Sequence, residues 1–105
     1  MRTKYGAKRT YSQLCDRIFD SKAEAIRGEK LRMLELAGEI QDLKYQVKYI
    51  LCTKPKKRTI TIDFVYIQDE ELIHEDTKGV LTRDFETKLL WLENTFGIKV
   101  NLVRG

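Results

Sequence analysis

The sequence predicts a mixed α and β domain (α/β or α+β) in which helices flank a mixed sheet. Segments with a hydrophobic period of 3.6 residues alternate with segments of period two, in the order helix, three strands, helix, strand. A helix precedes the last strand, as a crossover to a parallel neighbour requires. Because helices must bury their apolar faces on a sheet, this order predicts helix layers packed against mixed strands.

The first helix is predicted to begin after Asp20 or Ser21, which are good N-cap residues, with Glu24 completing a capping box. Gly38 is predicted to end it. Glu24 lies on the flank of the apolar stripe, so its carboxylate can reach the edge of the sheet below. The stripe that we expect to face the core consists of Ala23, Ile26, Met33, Leu34 and Ala37.

Three strands are predicted next. Residues 43–51 alternate between apolar and polar side chains, which indicates a half-buried strand with Leu43 and Leu51 on one face. Residues 59–67 are rich in β-branched and aromatic side chains and predict a central strand covered on both faces. The acidic turn 68–71 is short enough to close a hairpin into a third strand, Leu72 to Lys78, that stops at Gly79.

A second amphipathic helix is predicted between Thr82 and Gly97, with Phe85 and Leu92 on its apolar face. Residues 98–103 read as the last strand. Residues 1–17 show no clear period, and we expect a partly mobile basic arm there.

The length of 105 residues, of which 42% are apolar, predicts a single domain over residues 1–105 that folds without disulfides. No stretch of about 18 apolar residues could span a bilayer, and the first residues lack the apolar stretch of a secretory signal. We therefore expect a soluble, cytoplasmic protein that has no membrane partner.

The net charge of +4 is unevenly distributed. Residues 1–17 hold five basic and one acidic side chain, the loop 53–58 adds four basic ones, and residues 59–105 hold five basic and nine acidic ones. Clusters of Lys and Arg commonly bind the phosphates of nucleic acids, although a charged loop can also be no more than a solvated tip. The candidate DNA-contacting residues are Lys4, Lys8, Arg9, Lys54, Lys56, Lys57, Arg58, Arg83 and Lys88.

Two cysteines, Cys15 and Cys52, and one histidine, His74, are the only such residues. They are too few to provide the four ligands of a structural zinc site. With a single histidine, a hydrolase that uses a Ser-His or Cys-His pair is not expected. Any catalysis is therefore expected to depend on carboxylates and lysines. His74 is expected to be a packed histidine, with a water-orienting role as the alternative, and Trp91 is expected to be a core or interface residue.

Asp63 lies within an apolar strand, where a charge is costly unless it is paired or bound to metal. Asp76 and Lys78 leave the next strand on one face, and Asp63 can join them if the hairpin register permits. With Glu24 they would form an acidic cluster beside a lysine, which suits Mg²⁺ or Mn²⁺ and metal-assisted phosphodiester hydrolysis. The alternative is a surface ion pair between Asp76 and Lys78, with Asp63 at an exposed edge.

Three segments, residues 19–25, Ile62-Asp63-Phe64 and 75–79, together resemble the PD-(D/E)xK nuclease superfamily, whose core has the element order above. Residues 4–8, the helix end at 37–40 and Gln46 resemble more closely a group of small phage- and prophage-encoded proteins placed in that superfamily. The similarity covers nearly the whole chain. Ile62 stands where the superfamily name has proline.

The resemblance implies a restriction-endonuclease-like core and catalytic roles for Glu24, Asp63, Asp76 and Lys78. Glu24, Asp63, Asp76 and the backbone carbonyl of Thr77 would hold Mg²⁺, for which Mn²⁺ could substitute. Glu75 is a rival for Asp76, but strand alternation directs it to the opposite face.

The activity this implies is a phage-type, Mg²⁺-dependent DNA endonuclease selective for branched DNA, like Holliday-junction resolvases of the superfamily. It would act in the cytoplasm of a bacterial host, and symmetric cleavage of two strands would call for a homodimer. The alternatives are a less selective nickase or DNA-processing subunit, and a nucleic-acid-binding protein that has lost turnover.

Overall fold

The structure, a computed structural model, describes residues 8–78 and 80–104, with the backbone alone described at residue 104. The predicted order of helix, three strands, helix and strand is confirmed, and two short strands precede it. The elements are β1 (Thr10–Ser12), β2 (Arg17–Phe19), α1 (Lys22–Leu36), β3 (Gln41–Cys52), β4 (Arg58–Gln68), β5 (Glu71–Lys78), α2 (Arg83–Phe96) and β6 (Val100–Arg104).

The main sheet has four strands in the order β3, β4, β5, β6. The pairs β3–β4 and β4–β5 are antiparallel, and β6 lies parallel to β5 after the crossover through α2. The mixed sheet and the parallel last strand are therefore as predicted. The predicted stop of the third strand at Gly79 lies outside the described residues.

Local sequence signals determine the helix ends. The Ser21 hydroxyl accepts a hydrogen bond from the Glu24 backbone N–H at 3.1 Å, and the Thr82 hydroxyl accepts one from Phe85 N–H at 3.2 Å. Gly97 follows α2 with φ of 69°, a left-handed conformation that glycine adopts without a steric penalty. Both predicted N-caps are thus confirmed.

The helices cover opposite faces of the sheet. Phe64 packs in a core with α1, whereas the next residue, Val65, packs in a second core with α2. β4 is buried on both sides over residues 62–66, as the sequence predicted for a central strand. An acidic side chain in this stretch is therefore enclosed by both layers.

The predicted apolar stripe of α1 is confirmed at Leu34, which packs against the core, and is wrong at Ile26, Met33 and Ala37, which are exposed. Ile26 and Met33 are 59% and 56% exposed, and the buried residues of α1 are Glu24, Ala25, Gly28 and Leu31. Gly28 is buried against the Phe19 and Phe64 rings, which leave no room for a larger side chain at this position. The periodicity was misleading since the true buried face contains a carboxylate and a glycine.

The prediction that residues 43–51 form a half-buried strand of period two is confirmed, since half-buried or buried residues alternate with exposed ones. The apolar side chains do not all pack in one core, however. Leu43 packs in the core on the α1 side and Val47 in the core on the α2 side, so the strand changes face between them. Gln46 has a left-handed backbone, with φ of 53°, which breaks the extended strand at that point. β4 changes face at the same level, because Ile62 packs on the α2 side and Phe64 on the α1 side.

The predicted mobile arm is a hairpin where the structure describes it. β1 and β2 pair antiparallel, and the Ser12 hydroxyl donates a 2.6 Å hydrogen bond to Glu29 of α1. Strands of three residues are too short to show a period, which is why the pattern did not reveal them. Lys4 lies outside the described residues.

Neither helix could cross a bilayer. α1 has 15 residues and α2 has 14, below the roughly 20 apolar residues that a spanning helix needs. No helix in the described ranges is both long and apolar enough.

Candidate active site

Asp63 and Asp76 meet where the β4–β5 ladder ends. The last residues in register are Phe64 and Glu75, so the next two, Asp63 and Asp76, lie opposite each other. Asp76 Oδ1 accepts a hydrogen bond from the Asp63 backbone N–H at 2.9 Å, and Asp63 Oδ2 accepts one from Thr77 N–H at 2.9 Å. The two carboxylates thereby replace the ladder hydrogen bonds at this level, which brings both acids to one point, as predicted.

Gln46 connects the third acid to this pair. Its side-chain Nε2 donates to Glu24 Oε2 at 2.7 Å and to Asp63 Oδ1 at 3.2 Å. Glu24 enters from the first turn of α1, and only 4% of it is exposed. It therefore serves the site rather than closing the predicted capping box.

Lys78 lies beside Asp76, with Nζ 3.2 Å from Asp76 Oδ2. The ammonium group is also 4.3 Å from the centre of the Phe85 ring on α2, a favourable cation–π distance. About a third of the lysine side chain is exposed. The only cation in direct contact with the acids, within the described residues, can thus also face a ligand from solvent.

Burial dominates the electrostatics of the three acids. It raises the pKa of Glu24 to about 8, with a further increase from the nearby charge of Asp63. It raises the pKa of Asp76 to about 6, again with a contribution from Asp63, against the lowering effect of Lys78. The pKa of Asp63 is raised by burial as well, and hydrogen bonding from Thr77 opposes the increase. At neutral pH and without a cation, Glu24 is therefore mostly protonated.

The donor set fits a hard divalent cation in chemistry. All three side chains offer carboxylate oxygens, and Asp76 Oδ2 is buried without a hydrogen-bond partner in the described part of the chain. The Lys78 ammonium, 3.2 Å from Asp76 Oδ2, offsets the charge of the carboxylate without donating a well-directed hydrogen bond to it. An oxygen that accepts no hydrogen bond still has lone pairs that a metal cation could use beside the ammonium.

The acids do not form a closed ligand cage, however. No group of three His, Cys, Asp or Glu side chains among residues 8–78 and 80–104 is placed to hold a metal ion. Glu24, Asp63 and Asp76 instead form a chain, in which the Glu24 and Asp63 carboxyl groups interact directly and the Gln46 amide donates to both. The Thr77 hydroxyl is also buried without a partner in the described residues.

Glu75 belongs to a different group. It accepts hydrogen bonds from Arg27 Nε and Nη2 and from the Tyr66 hydroxyl, and it is 2% exposed. This network lies on the α1 side of the sheet, because Tyr66 packs in that core. Glu75 is therefore separate from Asp76, as alternation along β5 predicted.

The basic candidates are distributed over several elements. The loop residues 53–58 are all exposed between β3 and β4, and Arg83 is exposed at the start of α2. Lys88 lies 3.6 Å from Asp84, one helical turn away, so part of its charge is already offset. Lys8 and Arg9 are exposed before β1, on the hairpin that contacts α1, and hence apart from the α2 side.

His74 is a packed histidine. It is 5% exposed, its Nε2 is 2.7 Å from the Tyr49 hydroxyl oxygen, and burial lowers its pKa. No contact between His74 and the acids is present in the described residues, so the water-orienting alternative gains no structural support.

Sequence reasoning missed the role of Gln46, which the structure places between two acids. It had been noted for the resemblance alone. The available signal was its position opposite Asp63 in the strand pairing, since Tyr45 pairs with Phe64 and Val47 with Ile62. A polar amide opposite a buried acid is a natural hydrogen-bond partner.

Comparisons with known proteins add a family. A family model described as "Protein of unknown function (DUF1064)" matches residues 2–103. Neither the curated proteins nor the solved structures include a significant match.

Proposed function

The chain belongs to the DUF1064 family, and from the chemistry of its acidic cluster we propose that it is a Mg²⁺-dependent DNA endonuclease. The observation that carries the proposal is the pairing of Asp63 and Asp76 at the open end of the β4–β5 ladder, with Lys78 beside them. Buried acids at one point are costly to a fold, and a cation would relieve that cost.

Glu24, Asp63, Asp76 and the Thr77 carbonyl are the groups that would hold Mg²⁺ or Mn²⁺. Asp76 Oδ2 supports this assignment, because in the described structure it accepts no hydrogen bond and has only the Lys78 ammonium beside it. When bound, such a cation supplies charge that polarises a phosphoryl oxygen and favours ionisation of an attacking water.

The remaining chemistry belongs to the chain itself. Lys78 would stabilise the negative charge that develops on the phosphate, because its ammonium is partly exposed and held between Asp76 and the Phe85 ring. Gln46 would orient Glu24 and Asp63 through the two hydrogen bonds of its amide. The backbone N–H groups of Asp63 and Thr77 fix the two strand acids.

The resemblance to the PD-(D/E)xK superfamily supports the finer fold assignment, a restriction-endonuclease-like core. It also supports selectivity for branched DNA of the Holliday-junction type, action in the cytoplasm of a phage-infected bacterium, and a homodimer for symmetric cleavage. A nonspecific nickase or DNA-processing subunit is the alternative within the enzyme class.

A nucleic-acid-binding protein without turnover is a second candidate, which one observation favours. The acids in the described residues form a chain rather than a ready ligand cage. Such a protein would bind DNA through its basic loop without cutting it.

The test is to incubate the purified protein with junction, flap and plain duplex DNA in Mg²⁺ or in EDTA. Cutting of branched DNA alone supports the proposal, indiscriminate nicking supports the first alternative, and binding without cutting supports the second. Thermal unfolding with added Mn²⁺ gives a readout independent of activity. Mn²⁺ should stabilise the protein, since a ligand that binds only the folded state raises its unfolding free energy. The variant Asp76→Asn should lose that effect.

A further inference from the structure

A groove between the basic loop and α2 has no role in the chemistry above. It has a volume of about 350 Å³ and is lined by Cys52, Lys54, Pro55, Lys56, Arg58 and Trp91. Three of these six residues are basic and none is acidic. The groove therefore offers three cationic side chains around one large aromatic ring.

The three cations lack partners within the described residues, where no carboxylate oxygen comes within 4.0 Å of Lys54, Lys56 or Arg58. Exposed lysines elsewhere, such as Lys44 and Lys48, are also without an ion pair in the described residues, so the groove differs in having three cations around one aromatic ring. Like charges at the end of one hairpin repel each other, and this repulsion favours a polyanion as the occupant.

Trp91 makes the groove more than a charged surface. It is half-buried, it packs against the core on the α2 side, and it also lines the groove. Because that packing fixes the indole ring, the ring can stack on a nucleobase at little entropic cost. A base inside a duplex is already stacked on its neighbours, so only an unpaired base could use this ring.

We propose that this groove binds an unpaired DNA strand, with phosphates on Lys54, Lys56 and Arg58 and a base stacked on Trp91. This inference rests on the proposed function, which supplies DNA as the partner, and it specifies the substrate as DNA with an unpaired segment.

The strand geometry also gives the distance to the acids. Arg58 and Asp63 lie five residues apart on β4, which is about 17 Å at the rise of an extended strand. That length equals about five base steps of a duplex strand. The unpaired segment would therefore begin about five nucleotides from the bond that is cut, as at the base of a flap or branch.

Trp91 is the only tryptophan of the chain, so its fluorescence reports on the groove alone. In EDTA, an oligothymidylate of about ten nucleotides should quench this emission, whereas a duplex of equal phosphate content should not. Three phosphate contacts predict that log K falls with log salt concentration with a slope of about −2.

Matched variants distinguish binding in the groove from nonspecific attraction of DNA to the positive charge of the protein. The double variant Lys54→Glu/Lys56→Glu should weaken oligothymidylate binding about tenfold or more. Lys44→Glu/Lys48→Glu makes the same charge change at exposed positions of the same hairpin outside the groove, and should weaken binding much less. Trp91→Leu, followed by fluorescence anisotropy of a labelled strand, should weaken binding about fivefold or more, and Trp91→Phe should retain most of it.

Absence of quenching, equal quenching by the duplex, or equal losses in the two double variants would overturn the inference. The cleavage assay in Mg²⁺ is read separately. Cutting without quenching would refute the groove and leave the nuclease proposal standing, whereas quenching without cutting would refute the nuclease and leave the groove.

Discussion

Asp63 and Asp76 each accept a backbone hydrogen bond from the strand that carries the other. Asp63 N–H donates to Asp76 Oδ1 and Thr77 N–H donates to Asp63 Oδ2, both at 2.9 Å. The carboxylates are therefore structural partners of the sheet as well as candidate ligands. Variants at these positions must keep an acceptor oxygen if structure and activity are to be separated.

Asp76→Asn meets that condition, because its amide oxygen can still accept from Asp63 N–H. We expect DNA cleavage in Mg²⁺ to fall at least a hundredfold, since one acid of the cluster is lost while the fold remains. Binding of DNA in EDTA should change little. Single-turnover cleavage rates and thermal unfolding measure the two effects, and wild-type cleavage by the variant would exclude Asp76 from the chemistry.

Glu24 predicts how stability depends on pH without metal. Its pKa is about 8 in the folded protein because of burial and the charges of Asp63 and Asp20, against an ordinary value of 4.5. Between these values the folded state holds a proton that the unfolded state releases, so the free energy of unfolding decreases as pH rises. Asp76, with a pKa raised to about 6, acts in the same direction at lower pH.

Glu24→Gln removes the Glu24 contribution, because glutamine cannot ionise. In EDTA, the variant should gain stability relative to wild type as pH rises from 5 to 8, by several degrees in Tm. The scale follows from roughly 4–8 °C per kcal/mol for a domain of this size. Thermal unfolding across that pH range is the measurement, and a constant difference between the two proteins would contradict the raised pKa.

Gly28 predicts a packing effect. A Cβ added there would lie 2.6 Å from Phe19 Cζ and 3.2 Å from Phe64 Cε1, and both rings are buried. Gly28→Ala should therefore destabilise the fold by about 1 kcal/mol or more, despite the better helix propensity of alanine. Lys30→Ala, at an exposed position of the same helix, should stay within about 0.5 kcal/mol. Denaturant unfolding compares them, and a stabilised Gly28→Ala protein would show that the rings can move.

Arg27 predicts the cost of an unpaired buried acid. Arg27→Met removes the partner of Glu75, whose side chain is only 3% exposed. Breaking such a pair costs roughly 3–5 kcal/mol, and partial exposure of Arg27 places the effect near or below the lower value. Arg32→Met removes a more exposed pair with Glu35 and should cost less than about 1 kcal/mol. Equal losses in urea unfolding would mean that Glu75 is solvated in the folded state.

The sequence predicted the elements with strong local signals. Helix α2 begins after Thr82, whose hydroxyl caps the first turn, and ends at Gly97, which adopts a left-handed backbone. Both effects act within one helical turn. The hairpin between β4 and β5 was equally readable, and its register places Asp63 opposite Asp76. These features depend on neighbours that are close in sequence.

Features set by distant packing could not be read in this way. The buried face of α1 depends on Phe19 and Phe64 closing over Gly28, which no helical period can reveal. The left-handed backbone at Gln46 moves the strand from one core to the other and turns its amide to Glu24 and Asp63. The site residues were thus predictable singly, whereas the amide that joins them was not.

The hydrogen bonds at the end of the β4–β5 ladder make two backbone nitrogens sensitive to side-chain charge. The amides of Asp63 and Thr77 point at carboxylates where a regular sheet would offer carbonyls. Proton loss from either acid therefore changes the magnetic shielding of an amide on the opposite strand. In a nuclear magnetic resonance titration, the Asp63 amide would therefore report on Asp76, and the Thr77 amide would report on Asp63.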